Sequence, residues 1–329
     1  MAGPLPFVRD LDVVYGRVDQ VSPLVRRVIA ENPSKFTYLG TGTYLVGRGD
    51  VAVIDPGPLL DAHVDAIVAA LEPGERVSHI LVTHTHSDHS PAAAPLQARV
   101  DAPSHGYGPH GAVPSDDADD RVVFGDPEAD GEPKKDGDTA ETKTLREGAD
   151  TDFRPDVVLR DGDVVAGDGW TIEAVHTPGH TSNHLCYALR EEAALFSGDH
   201  VMGWSTSVIT PPDGDMVAFL DSLRLLLARD DESYWPTHGP QITAPKDLVR
   251  AYLTHREERT AQVVAALADG PATLIEIVPR IYADVAKTLW VPAAMSTHAH
   301  LLQLLDEGRV QVTGGGPPKR TARYELVDA

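Results

Sequence analysis

The chain has 329 residues, 42% hydrophobic and 24% charged, a soluble globular balance that excludes a disordered or collagen-like chain and suits one large domain or two ordinary ones. No run approaches the roughly 18 consecutive apolar residues of a membrane helix, and a single cysteine, Cys186, excludes an internal disulfide and any multi-cysteine metal site. The net charge of −22 repels nucleic acid and anionic membrane unless a local basic patch intervenes.

The opening, MAGPLPFVRDLDVVYG, has no long apolar run, so no signal peptide is read and the cytoplasm is the expected location. Residues 36–39 and 43–46 read as strands around Gly40 and Gly42. VAVI at 51–54 reads as a short apolar strand closed by the turn Asp55-Pro56-Gly57. Residues 59–71 carry apolar side chains at helical spacing and end at Pro73-Gly74. HILV at 79–82 reads as a buried strand running into THTHSDH.

Residues 115–156 then hold 15 acidic and 6 basic side chains, with abundant Gly, Pro and Thr. Such a segment cannot offset its ordering entropy, so a mobile surface insertion is expected, either a lid over a pocket or a solvated loop. Strands are expected again at 157–159, 164–165, 170–175, 185–189 and 193–196, with turns at Asp161-Gly162 and Asp168-Gly169, then a helix at 216–227. Cys186, in an apolar strand, reads as core. Strands, a helix, strands again and then helices fit two packed sheets with helices outside, a four-layer αββα sandwich of the α/β class.

Residues 245–329 hold 10 basic and 10 acidic residues, so all the net charge lies before them. That shift places a catalytic domain at 1–244 and a second domain at 245–329. Helices are expected at 248–267, 274–282 and 293–305, then a hairpin of 310–312 with 324–327. Helices followed by a two-stranded wing resemble a small winged helix. Lys319, Arg320 and Arg323 fall near the wing tip; this weak basic footprint favours a packing or dimerisation module over nucleic-acid contact, and a homodimer is one expected assembly.

The central signal is His84-Thr85-His86-Ser87-Asp88-His89. In extended chain His84 and His86 project to one side, while Asp88 and His89 fall where the chain turns. Four ligands within six residues can face two neighbouring metal ions, unlike the helical HExxH arrangement. Thr177-Pro178-Gly179-His180-Thr181 has turn chemistry that presents His180, Phe196-Ser197-Gly198-Asp199 ends a strand on a carboxylate, and Pro236-Thr237-His238-Gly239-Pro240 presents another histidine. Histidines 63, 79, 105, 110, 176, 255, 298 and 300 read as surface or satisfied core. No GxSxG or P-loop is present, which takes support from serine hydrolases and P-loop nucleotide-binding folds.

The set HTHSDH, TPGHT, SGD and THG resembles the metallo-β-lactamase-fold hydrolases, on the branch that includes glyoxalase II. The runs HTPGHTSNHLCYALREEAALFSGDHVMG and YWPTHGPQI and the stretch LTHREERTAQ resemble more closely the group of β-lactamase-like protein 2, an endoribonuclease with a C-terminal winged-helix tail. The resemblance covers about residues 36–310 apart from the insertion. It implies that His84, His86 and His180 hold a first metal, that Asp88, His89 and His238 hold a second, and that Asp199 bridges them. Thr237 departs from the group, which usually has glycine before this histidine.

Five imidazoles and two carboxylates without thiolate suit two Zn²⁺ per chain and tolerate Mn²⁺ or Fe²⁺. Metal lowers the pKa of bound water from 15.7 to about 7, so a hydroxide held between two ions needs no dedicated base, and Asp88 can orient it. Asp55 reads either as a support for a ligand histidine or as a plain turn aspartate. His184 reads as a packing, hydrogen-bonding or substrate-contact residue, and His200 as a pocket residue only if it does not face away from Asp199. The expected function is a dinuclear zinc hydrolase of an ester, thioester or lactone of a small molecule. The alternatives are a metal-dependent endoribonuclease on single-stranded RNA, disfavoured as a partner by the charge, a mononuclear iron sulfur dioxygenase, and a non-catalytic binding module on a hydrolase fold.

Overall fold

The computed structural model describes residues 5–111, 122, 124 and 148–327. The chain enters through β1 (Val18–Gln20), β2 (Val25–Ile29), β3 (Gly42–Val46) and β4 (Asp50–Ile54), each antiparallel to the last. Helix α1 (Asp61–Ala69) crosses to β5 (Arg76–Leu81), parallel to β4, and α2 (Ala93–Val100) crosses to β6 (Ser104–Gly106), followed by the edge strand β7 (Val157–Val158). The described strands make a seven-stranded sheet in chain order. A five-stranded sheet follows, ordered β12-β11-β10-β9-β8, from β8 (Val164–Gly167), β9 (Trp170–His176), β10 (Leu185–Leu189), β11 (Ala194–Gly198) and β12 (Ser233–Pro236). Helix α3 (Met216–Ala228), capped by the Asp215 carboxylate accepting from Ala218 N–H at 2.8 Å, makes the crossover from β11 to the parallel β12.

Strand periodicity sorts the side chains into layers. On β10, Leu185, Tyr187 and Leu189 enter the core between the sheets, while Cys186 and Ala188 enter a second core under α3. On β4, Ala52 and Ile54 face the inter-sheet core, while Val51 and Val53 face α1 and α2. Three apolar layers between four layers of elements give the αββα sandwich.

Helix α4 (Pro245–Leu267) belongs to two cores. Leu248, Val249 and Tyr252 pack with α3, while Val263, Ala266 and Leu267 pack with α5 (Leu274–Ile281) and α6 (Trp290–Asp306). A capping box of Thr273 and Glu276 starts α5. Strands β13 (Val310–Val312) and β14 (Tyr324–Leu326) pair antiparallel as the wing.

Three expectations change. Residues 36–39 form a turn rather than a strand: Ser34 Oγ accepts from the N–H groups of Phe36 and Thr37, and Tyr38 adopts φ +57°. The unforeseen β2 is wholly buried although it contains Arg26 and Arg27, because Arg26 ion-pairs with Glu75 at 2.8 Å and donates to Ala70 O. Most of the acidic insertion at 115–156 lies outside the described residues, but its end is pinned: Ser87 N–H donates to Gly148 O, Asp150 N–H to Thr85 O, and Ser90 Oγ to Asp150 Oδ2 at 2.6 Å. Val122 is buried in the core of α5 and α6, where Phe124 meets Trp290 edge-on at 5.4 Å. At the wing, Arg320 is buried against Met295, while the exposed Arg323 ion-pairs with Glu276 at 3.0 Å.

Candidate metal centre

The seven residues implied by the sequence come together where strands of both sheets end. His84, His86, Asp88 and His89 lie on the loop after β5, His180 between β9 and β10, Asp199 just after β11 and His238 just after β12. Two glycines make the approach feasible. Gly179 has φ +138°, and a Cβ there would fall 2.3 Å from Phe219 Cα. Gly198 has φ +53°, and a Cβ there would fall 2.5 Å from His184 Nε2.

Three overlapping sets of donors result: His84, His86 and His180; His84, His89 and Asp199; and Asp88, His89 and His238, each with ligand atoms within 4.8 Å of one another. His86 Nδ1 lies 3.0 Å from His84 Nε2 and 3.1 Å from His180 Nε2. Asp88 Oδ2 lies 3.1 Å from His238 Nε2 and 3.6 Å from His89 Nε2. Asp199 faces both groups, with Oδ2 3.9 Å from His180 Nε2 and 3.6 Å from His89 Nε2, and Oδ1 3.5 Å from His238 Nε2. The buried atoms His89 Nε2, His238 Nε2 and Asp199 Oδ1 have no hydrogen-bond partner. Buried orphan donors aimed at one another are costly unless a cation satisfies them, so the donor set fits one or more divalent ions of the zinc type.

The outer ring nitrogens are anchored. His180 Nδ1 meets Val208 O at 2.7 Å, His238 Nδ1 meets Gly40 O at 3.2 Å, and His89 Nδ1 meets Asp55 Oδ2 at 2.9 Å. Asp55, fully buried at φ +49°, also accepts from Thr83 N–H at 2.8 Å, Thr83 Oγ1 at 2.8 Å and Thr237 Oγ1 at 2.7 Å. It supports the histidine loop rather than serving as a plain turn residue. His184 accepts from Asp199 N–H at 3.2 Å through Nε2, with Nδ1 2.9 Å from Thr177 Oγ1, which is a hydrogen-bonding role. His200 is fully buried with its ring 4.5 Å from Phe219 and joins none of the donor sets; as the neighbour of Asp199 it faces the other way.

Sequence reasoning missed three participants. His110 Nδ1 lies 2.9 Å from Thr85 Oγ1, with its ring 6.0 Å from His86. Thr43 Oγ1 donates to Asp55 O, and His63 Nε2 lies 2.7 Å from Thr43 Oγ1. Lone histidines and threonines far apart in sequence carry no pattern that would have found them.

Electrostatics split the cluster. Burial, aided by neighbouring imidazoles, pushes His84 and His86 well below the ordinary histidine range, and burial lowers His180 too. These three stay neutral, the form a metal requires. Burial opposes charge on His89 and His238, but the surrounding carboxylates outweigh it and raise both. Asp88 and Asp199 are lowered, their burial outweighed by the facing histidines. The two carboxylates therefore draw protons onto His89 and His238, and a cation bound there would displace those protons.

The Metallo-beta-lactamase superfamily model matches residues 38–238, and the Beta-lactamase associated winged helix domain model matches residues 273–318. The chain belongs to the metallo-β-lactamase superfamily. It is similar to an atrochrysone carboxyl ACP thioesterase of Pseudocercospora fijiensis, 29% identical over 95% of this chain and 84% of that protein. It is 32% identical to an atrochrysone carboxyl ACP thioesterase of Paecilomyces divaricatus over 76% of this chain but only 66% of that protein, just under two thirds of its length. A crystal structure of a Beta-lactamase domain protein from Burkholderia ambifaria superposes with a TM-score of 0.72 at 20% identity, over 96% of each chain. The chain is a metallo-β-lactamase-fold hydrolase. No helix among the described residues is long and apolar enough to cross a membrane.

Proposed function

We propose that the chain is a dinuclear metal-dependent thioesterase acting on a small acyl group carried as a thioester. The observation that carries this reading is Asp199, whose two oxygens face two separate histidine groups within 3.9 Å. The thioesterase names of its relatives select the bond. In this reading His84, His86 and His180 would hold one zinc-type ion, Asp88, His89 and His238 would hold the other, and Asp199 would be a ligand shared by both groups. The ions supply Lewis acidity for the thioester carbonyl and lower the pKa of the attacking water.

The chain's own residues supply geometry and proton handling. Asp88 is the less buried of the two cluster carboxylates, its side chain 15% exposed, and its oxygens can accept a hydrogen bond from the incoming water and orient it. Water adds to the carbonyl carbon, the C–S bond breaks, the sulfur leaves as thiolate and takes up a proton, and a carboxylate remains. His184 and Asp55 act behind the site, fixing Asp199 and His89. Asp88, His89 and His238 form a complete second donor group, which favours the hydrolase over a mononuclear iron dioxygenase. Arg320 is buried against Met295 and the exposed Arg323 is already paired with Glu276, which weakens the wing's claim on RNA phosphates.

The test is release of free thiol from an acyl-N-acetylcysteamine thioester, beside ester, lactone and single-stranded RNA substrates. Thioester turnover should dominate, and Asp88→Asn should lower kcat about 100-fold or more. Faster RNA cleavage than thioester cleavage would put the endoribonuclease reading first. Unchanged turnover in Asp88→Asn would remove Asp88 from the chemistry.

A further inference from the structure

Thr237 immediately precedes His238 and is bonded to both sheets. Its N–H donates to Gly198 O at 3.2 Å, one residue from Asp199. Its carbonyl accepts from Gly42 N–H at 2.8 Å, close to Gly40, whose carbonyl receives His238 Nδ1. Its hydroxyl, buried with the rest of the residue, donates to Asp55 Oδ2 at 2.7 Å. That same oxygen receives His89 Nδ1 at 2.9 Å and Thr83 Oγ1 at 2.8 Å. One carboxylate oxygen thus gathers the loop that carries His89 and the strand end that carries His238.

The consequence is geometric. His89 lies on the loop after β5 of the seven-stranded sheet, and His238 just after β12 of the five-stranded one. Their ring centroids lie 5.3 Å apart, with Asp88 between their Nε2 atoms. The rotation of an aspartate about its last torsion is broad and nearly two-fold, so Asp55 needs its donors to stay in one orientation. The Thr237 hydroxyl is the donor that comes from the opposite sheet. We propose that Thr237 is a positioning residue that sets the spacing of the Asp88–His89–His238 group through Asp55, and so tunes the affinity of the second metal. This rests on the two-metal reading above.

Chelator-competition titration of zinc into metal-stripped full-length protein tests it, on the parent, Thr237→Val and Thr237→Ser. Valine keeps the branched shape and the backbone bonds but removes the hydroxyl. The expected result is a 10- to 100-fold loss at one of the two sites, the usual range for removing a group that orients a ligand. The other site should stay within about twofold, and Thr237→Ser should restore the parent value to within about threefold. In a His238→Ala background, where only the first group remains intact, Thr237→Val should change nothing. If valine lowers the folded yield, Thr237→Ser against Thr237→Ala gives the same reading, since both lack the methyl and only alanine lacks the hydroxyl.

Unchanged affinities in Thr237→Val would overturn the proposal. Equal weakening of both sites with a lower melting temperature of the stripped protein would also overturn it, by making Thr237 a general packing residue. A parent that binds no zinc would instead sink the two-metal reading, so the two failures are distinguishable.

Discussion

Tyr252 and Met202 hold each other through two hydrogen bonds: the phenol donates to Met202 O at 2.7 Å and accepts from Met202 N–H at 3.2 Å. The same hydroxyl lies 2.6 Å from Ser205 O, and one helical turn on, Arg256 Nη2 donates to Ser207 O. Ser207 Oγ in turn donates to the Asp199 carbonyl. Helix α4, shared between the lactamase-fold core and the C-terminal core, therefore clamps the loop that starts at Asp199 and ends near Val208, the acceptor for His180.

Tyr252→Phe leaves the buried Met202 N–H without its acceptor. A buried unsatisfied group costs about 1–3 kcal/mol. Urea unfolding should show a loss in that range, and a loss under about 0.5 kcal/mol, the size of an ordinary surface substitution, would show that the clamp carries no weight.

Acid sensitivity follows from His63. Its neighbour Thr43 uses its one proton on Asp55 O, so His63 Nε2 donates to Thr43 Oγ1, and burial pushes the imidazole down to about 4. The unfolded chain protonates this histidine near 6.5. Between those values the unfolded state binds more protons, so the contribution is fully present above about pH 6.5 and lost as the pH falls to about 4. From pH 7 to pH 5 the parent should lose about 2 kcal/mol more stability than His63→Gln. Equal losses by urea titration at the two pH values would refute this.

Gly198→Ala should damage the metal centre without touching a ligand. The new Cβ would meet His184 Nε2 at 2.5 Å, the acceptor of Asp199 N–H, and φ +53° disfavours any residue with a Cβ. The variant should lose at least one ion relative to the parent by elemental analysis. Full metal content would mean that the loop adjusts without moving Asp199.

Legibility from sequence tracked how local each signal was. The strand ending in HTHSDH and the strands from 185 to 198 are continuous apolar runs closed by turn chemistry, and they appear where periodicity puts them. Strand β2 was hidden because Arg26 and Arg27 look solvent-facing until Glu75, 49 residues on, accepts Arg26. Residues 36–39 looked like strand because their aromatic and β-branched side chains suit one, while the deciding bonds come from the Ser34 hydroxyl. The metal-binding candidates were visible as residue types in order. Their support was not: Thr237 and Asp55 are 182 residues apart, and only the packing of two sheets brings them together. The pinning of Asp150 to Ser90 was masked by an acidic composition that favours a mobile loop.

The most direct test of the central claim is elemental analysis paired with thioester turnover on the purified parent and on Asp199→Ala. Asp199 faces both histidine groups, so the parent should carry two zinc-type ions per chain, and Asp199→Ala should lose at least one ion and nearly all thioester hydrolysis. Full hydrolysis by a metal-stripped parent, or by Asp199→Ala with one ion or none, would contradict the account.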